Sequence, residues 1–177
     1  MTTIVTTPRT HIRELTADDA PFIRDLLNQP SFLRFIGDRQ VRTADDAAAF
    51  IETRYRQSYR KHGYGLYVVE TLTTPQSMGL CGFVRRAPLP HADLGFAFLP
   101  QFEGQGYAHE AALAMLEVGR HRFGLTDVLA IVQDQNQRSR ALLDRLGFHF
   151  AETRTMPGDT TPVMVFRRRL ALGEVST

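Results

Sequence analysis

The sequence is short of several things, and each shortage closes off a class of function. It contains no tryptophan and one cysteine, Cys81. A single thiol excludes an intrachain disulfide and any zinc site built on cysteines. Cys81 stands before Gly82 in an apolar run with no cationic neighbour in sequence to lower its pKa, so it reads as a core residue rather than a nucleophile. Lys61 is the only lysine among 21 basic residues, and the net charge is +2. The chain therefore lacks the dense basic block of a nucleic-acid binder; Arg167, Arg168 and Arg169 would alternate sides on a strand. No apolar stretch approaches the roughly 20 residues that cross a bilayer. The opening Met1-Thr2-Thr3-Ile4-Val5 has neither a basic lead nor a long hydrophobic run. A cytoplasmic protein without nucleic-acid or membrane partners is expected, and repeats and low-complexity stretches are also missing.

What is present reads as one compact domain over residues 1–177, with residues 1–8 and 172–177 as loose ends. Alternation over residues 10–15 predicts a first strand. Thr16 and Thr43 are each followed by a pair of acids in a capping-box pattern and predict two amphipathic helices, the second stopped by Gly63. Between them Pro30 restarts the chain into a short apolar turn over residues 31–36. The period then changes. Residues 64–72, 78–86 and 92–99 are β-rich runs separated by turn segments and predict three successive antiparallel strands. A helix over 104–123, a strand over 128–133, a helix over 136–146 and strands over 148–155 and 162–170 complete an α/β (α+β) order of about seven strands and four helices.

Chemistry concentrates where the strand ending at Phe98-Leu99 runs through Pro100-Gln101-Phe102-Glu103-Gly104-Gln105-Gly106-Tyr107-Ala108 into a helix. Two glycines let the main chain approach a ligand, and the first N–H groups of a helix are unpaired and lie at its positive end, so the loop suits phosphate. A dinucleotide fold would need a third glycine three residues after Gly106, and a nucleotide-triphosphatase loop would need Gly-Lys; neither is spelled here. Thirty residues on, Asn136 follows a strand as a natural helix cap, with Ser139 on the same side of that helix.

Together, and in this order, these segments resemble the GNAT superfamily of N-acetyltransferases, and within it the ribosomal-protein alanine N-acetyltransferase-like branch. Leu94-Gly95-Phe96 looks like the branch's Leu-Gly-Tyr, Gly104 to Ala111 like its Gly-x-Gly-Tyr-Ala-x-Glu-Ala, and Asn136-x-x-Ser139 through Leu146-Gly147-Phe148 like its Asn-x-x-Ser followed by Leu-Gly-Phe. The likeness is detailed over residues 94–148 and topological elsewhere. It implies a GNAT-like fold, a central mixed, mostly antiparallel sheet whose parallel strands 4 and 5 splay apart, and acetyl-CoA as co-substrate with no metal. The pantetheine arm would lie against Phe98 and Leu99, with one of their backbone N–H groups facing the thioester carbonyl. Gly104, Gln105, Gly106, Tyr107 and Ala108 would hold the pyrophosphate, with Asn136 and Arg138 completing the cofactor site.

For catalysis the resemblance implies Asp93 as base, acting through water, with His91 as a second candidate. Ser139 would be the hydrogen-bond donor to the leaving sulfur, because Leu143 stands where many members carry a Tyr. Glu103 departs from the Gln or Arg that usually opens the loop, so either its side chain turns away or cofactor affinity falls. The acceptor is an amine, with a protein N-terminus as the branch expectation and a small amine, an amino acid or an aminoglycoside-like compound left open. Phe32, Phe35, Tyr59 and the turn Pro157-Gly158-Asp159 are candidate walls for it. A non-catalytic acyl-CoA-binding or protein-interaction module of the same fold is the alternative, and the protein would be a monomer or a homodimer.

Overall fold

The computed structural model describes residues 2–170; the loose end expected at residues 172–177 lies outside them. Eight strands, β1 (Thr3–Thr6), β2 (Thr10–Arg13), β3 (Leu66–Thr71), β4 (Ser77–Val84), β5 (Asp93–Phe98), β6 (Asp127–Val132), β7 (His149–Arg154) and β8 (Val163–Arg169), form one sheet in the order β1-β2-β3-β4-β5-β6-β8-β7. Neighbours are antiparallel except β5 and β6, which are parallel. The mixed sheet with one parallel pair is as expected, but there is one strand more. The extra one is β1, inside the stretch expected to be loose. Its β-branched residues Thr3, Ile4, Val5 and Thr6 line the outer edge of β2, and the Thr3 hydroxyl meets the His11 ring at 2.9 Å.

Six α-helices accompany the sheet: α1 (Ala20–Leu27), α2 (Pro30–Phe35), α3 (Ala44–Phe50), α4 (Gln57–His62), α5 (Tyr107–His121) and α6 (Gln137–Arg145). A π turn over Ile51–Arg56 joins α3 to α4 in one continuous rod. Thr43 starts this rod reciprocally: its hydroxyl accepts the Asp46 N–H at 3.0 Å while the Asp46 carboxylate accepts the Thr43 N–H at 3.1 Å. Gly63, at φ +80°, ends it. Among the described residues no helix is long and apolar enough to cross a membrane.

Period-two alternation sorts the strand residues between two cores. Tyr67, Val69, Cys81 and Phe83 face α5 and pack with Ala112, Met115 and Leu143. Val68 and Leu80 face the other side and pack with Leu15, Ile23, Leu26, Ala47 and Ile51 of the N-terminal helices. Cys81 is fully buried, and burial pushes its thiol up to about 12, which makes it the inert core residue the sequence suggested.

A buried ionic cluster ties the first helical turn to the sheet. Arg13 clasps Asp19 through both terminal nitrogens, at 2.9 and 2.8 Å, and reaches Glu70 at 3.3 Å, and each of the three residues is 6% exposed. Removing the arginine leaves the buried Asp19 carboxylate without its cation and Glu70 with His11, 2.8 Å away, as its remaining partner. Arg13→Met is therefore expected to lower stability by roughly 3–5 kcal/mol, measured by urea unfolding.

Candidate active site

The site begins with a pairing that stops. β5 and β6 are in register at one position only, Asp93 opposite Leu129, where the Leu129 N–H also donates to the Ala92 carbonyl at 3.0 Å. Beyond that rung the strands part. Along β5 successive amides point to opposite edges, and the Leu99 N–H points to β4, donating to the Met78 carbonyl at 2.9 Å. Phe96 and Phe98 are in the opposite phase, so their N–H groups face the gap, where among the described residues no strand opposes them. Of the two amides expected for the thioester carbonyl, Leu99's is thus already engaged and Phe98's is the one turned inward. Sequence leaves this phase open, because a strand offers amides to both sides.

A cavity of about 740 Å³ follows the gap. Eight of the expected cofactor and catalytic residues line it: Phe98, Gly104, Gly106, Tyr107 and Ala108 from the β5–α5 segment, and Asn136, Arg138 and Ser139 from α6 and its cap; Phe32 and Phe35, expected as acceptor walls, line it too. Gln105 does not line it. Its amide donates to the Gln101 carbonyl at 2.8 Å, so it braces the loop from outside. Leu99 lines a separate depression with Arg24 and Arg42. His91 and Asp93 are also outside the lining.

The loop itself fits an anion. Gly104 and Gly106 adopt φ of +73° and +82°, which side chains with a Cβ resist. Gly106 is the N-cap of the 15-residue α5 and has no side chain with which to accept from its first N–H groups. The first-turn N–H groups of α5 are therefore left for a ligand at the positive end of the helix. The residues present suit a coenzyme A diphosphate: Gly104, Gly106 and the amides of Tyr107 and Ala108 would hold it.

The loop is held from a distance. Arg9 donates to the Glu110 carboxylate at 2.9 Å and to the Gln105 carbonyl at 2.9 Å, and its guanidinium lies 4.3 Å over the Tyr107 ring. Thr7 donates to Glu110 at 2.6 Å and the Arg9 amide does so at 3.1 Å. Burial raises the Glu110 pKa, but the hydrogen bonds from Thr7 and Arg9 outweigh it and hold the carboxyl below its ordinary range. Sequence reasoning missed both partners: Glu110 was only a letter of a motif, and Arg9 is about a hundred residues away with no local signal.

On α6 the Asn136 side-chain oxygen accepts the Ser139 N–H at 3.3 Å. Asn136 is thus a helix cap, and its remaining NH2 group is the donor it brings to the cavity it lines. Leu143 is buried in the core, so nothing acidic replaces the Tyr absent there. Glu103 turns to Arg138, which it meets at 2.7 Å. Asp93 is 1% exposed, and Arg86 donates to it at 2.8 Å; burial raises its pKa and Arg86 opposes that rise. Tyr59, expected as an acceptor wall, is part of the core packing: its hydroxyl donates to the Leu66 carbonyl at 2.5 Å and accepts the Leu15 N–H at 3.2 Å.

Residues 9–149 match the model of the acetyltransferase (GNAT) domain family. The uncharacterized N-acetyltransferase YoaA of Bacillus subtilis is 26% identical over 146 residues, 82% of each chain. A crystal structure of an acetyltransferase from Agrobacterium tumefaciens superposes with a TM-score of 0.80 at 23% identity, covering 96% of this chain and 95% of that one. RimL, a ribosomal α-N-protein acetyltransferase in complex with coenzyme A, gives 0.81 at 17% identity, covering 95% and 98%.

If Arg9 and Glu110 hold the loop, Arg9→Met and Glu110→Gln should each weaken acetyl-CoA binding by about tenfold. That corresponds to a charge-assisted hydrogen bond of roughly 1.5 kcal/mol, and titration calorimetry measures it.

Proposed function

The chain belongs to the GNAT acetyltransferase family, whose chemistry is acyl transfer from acetyl-CoA, and we propose that it is an N-acetyltransferase that passes acetyl to a primary amine by direct attack in a ternary complex. The observation that carries this reading is a coincidence in one cavity: a glycine loop at an uncapped helix end, the open β5 edge at Phe96 and Phe98, and the side chains of Asn136 and Ser139.

Each group has a task. Gly104, Gly106 and the amides of Tyr107 and Ala108 hold the diphosphate, and Asn136 donates to the pantetheine arm. The Phe98 N–H meets the carbonyl oxygen as charge gathers there; a donor so placed is worth about 2.7 to 4 kcal/mol. The amine nitrogen bonds to the acetyl carbon as the carbon–sulfur bond breaks. Asp93 is 1% exposed, outside the cavity lining and five strand residues, roughly 16 Å, from the Phe98 amide, so as the base it would accept the proton that nitrogen loses only through a relay of several waters. Its raised pKa makes it a better base than an exposed carboxylate. Ser139 donates a hydrogen bond to the departing sulfur, which takes its proton from solvent. The acceptor amine must be neutral to attack. A peptide α-amine, with a pKa of about 7.7 to 8.0, meets this more easily at pH 7 than a lysine side chain at about 10.4, which supports a protein N-terminus or an amine of similar basicity.

Ser139→Ala should lower kcat about tenfold, Asn136→Ala should raise KM for acetyl-CoA, and the double variant should abolish steady release of free thiol. Full turnover in Ser139→Ala with chemistry limiting the rate removes that role, and acetyl-CoA binding without steady thiol release from the native chain favours the non-catalytic module. Deprotonated Asp93 is the active form, so the rate should fall as pH drops through a carboxyl titrating above 3.8. Asp93→Asn should lose that limb, tested with an acceptor of low pKa that does not mask it. Glu103→Gln releases Arg138 toward the diphosphate and should tighten acetyl-CoA binding by up to about fivefold, the scale of an exposed ion pair, with the gain shrinking at high salt.

A further inference from the structure

Polarity is distributed unevenly along the cavity. Its charged or titratable lining residues, Glu103, Tyr107, His109, Arg138 and Arg145, all come from the phosphate loop, the first turn of α5, or α6. The opposite wall is built by α1 and α2 and carries Leu26, Phe32, Phe35 and Ile36, with Ser31 its only polar side chain. Between them β5 contributes Phe96, Ala97 and Phe98. A polycationic acceptor needs carboxylates to hold its other charges, and an acidic acceptor needs cations; this wall supplies neither.

The apolar wall also continues outward. Among the described residues five large apolar side chains are exposed, and two of them, Leu33 at 38% on the six-residue α2 and Ile36 at 42% at its C-cap, belong to this segment. Its one charge, Arg34, lies over the Phe35 ring, 4.7 Å from its centre. Only Phe32 of this helix is buried in the core. A short helix that keeps so much apolar surface at the mouth of a cavity gains by covering it with a ligand.

We propose that the acceptor is a primary amine carried on an apolar, aromatic-sized group, bound by Phe35 and Ile36 with no second charge beside the amine. This rests on the acyl-transfer reading and adds the chemical class of its second substrate. Polyamines and aminoglycoside-like polycations are thereby excluded.

The test measures thiol release from acetyl-CoA against ethylamine, butylamine, hexylamine, phenethylamine and spermidine, with peptides beginning in Phe or Glu as a separate arm. Calorimetric binding of acetyl-CoA is recorded alongside. Across the alkyl series kcat/KM should rise about threefold to fourfold per methylene that reaches the wall, phenethylamine should exceed spermidine by at least about a hundredfold, and the Phe peptide should exceed the Glu peptide. The exposed Ile36→Asp should reverse the preference between phenethylamine and spermidine while acetyl-CoA is still bound, a split that loss of folding would not give. Turnover with a flat alkyl series, or with spermidine preferred, overturns this proposal alone. No acetyl-CoA binding and no turnover with any amine overturns the acyl-transfer reading and this proposal with it. A small-amine response without a peptide response, or the converse, identifies the source of the apolar amine.

Discussion

The site depends on β5 and β6 touching at one rung and no further. Had the strands zipped together, each N–H and C=O of the pair would have been satisfied inside the sheet and no gap would exist. They are not loose strands. β5 is in register with β4 along its whole length, and β6 with β8 along its own. The gap is therefore bounded by two rigid half-sheets, and the amides of Phe96 and Phe98 hold their direction before any ligand arrives. Buried main-chain donors left unpaired are costly. An edge that keeps them open suits a partner that enters, and the amide-bearing pantetheine arm of the proposed acetyl-CoA would supply what the missing strand does not.

Charge at the phosphate end is balanced in advance. Two carboxylates, Glu103 and Glu110, sit on or beside a loop meant for a dianion, and either alone would oppose the field of the α5 N-terminus. Arg138 takes the first and Arg9 the second. The two pairings differ in strength. Glu110 is held by three donors in a part-buried setting and serves as a brace, whereas Glu103 has one exposed arginine that an incoming phosphate can draw away. The departure of Glu103 from the usual loop spelling is thus absorbed by a neighbour rather than by the ligand.

Much of this was legible in the sequence because it is encoded locally. Period-two runs gave the central strands, threonine followed by acids gave the helix starts, and glycine before a helix gave the loop; Gly104, Gly106, Asn136 and Ser139 line one cavity. What was not legible depends on pairing between distant residues. β1 becomes a strand because β2 offers an edge, and Arg9 matters because Glu110 lies beneath it. Leu99 and Phe98 differ only in which edge their amides face. Tyr59 looks like a wall in sequence and is a core residue in the fold because two main-chain groups, at Leu15 and Leu66, claim its hydroxyl.

The uneven polarity of the cavity also bears on its modest acid–base equipment. Ser139 is a poor acid, and Asp93 is buried and clasped by Arg86. A base so held would not rapidly deprotonate an ammonium group well solvated by water. Against Phe35, Phe96 and Phe98 that ammonium loses much of its hydration, and desolvation disfavours the charged form, lowering its pKa toward neutrality. On the proposed mechanism the apolar wall would do part of the base's task, leaving Asp93 to receive a proton already weakly held. The same wall would lower the local dielectric and so strengthen the hold of the Phe98 amide on an oxyanion developing there. Acceptor recognition and catalysis are in this view one property of the cavity, its change from charged at the loop to apolar at α2.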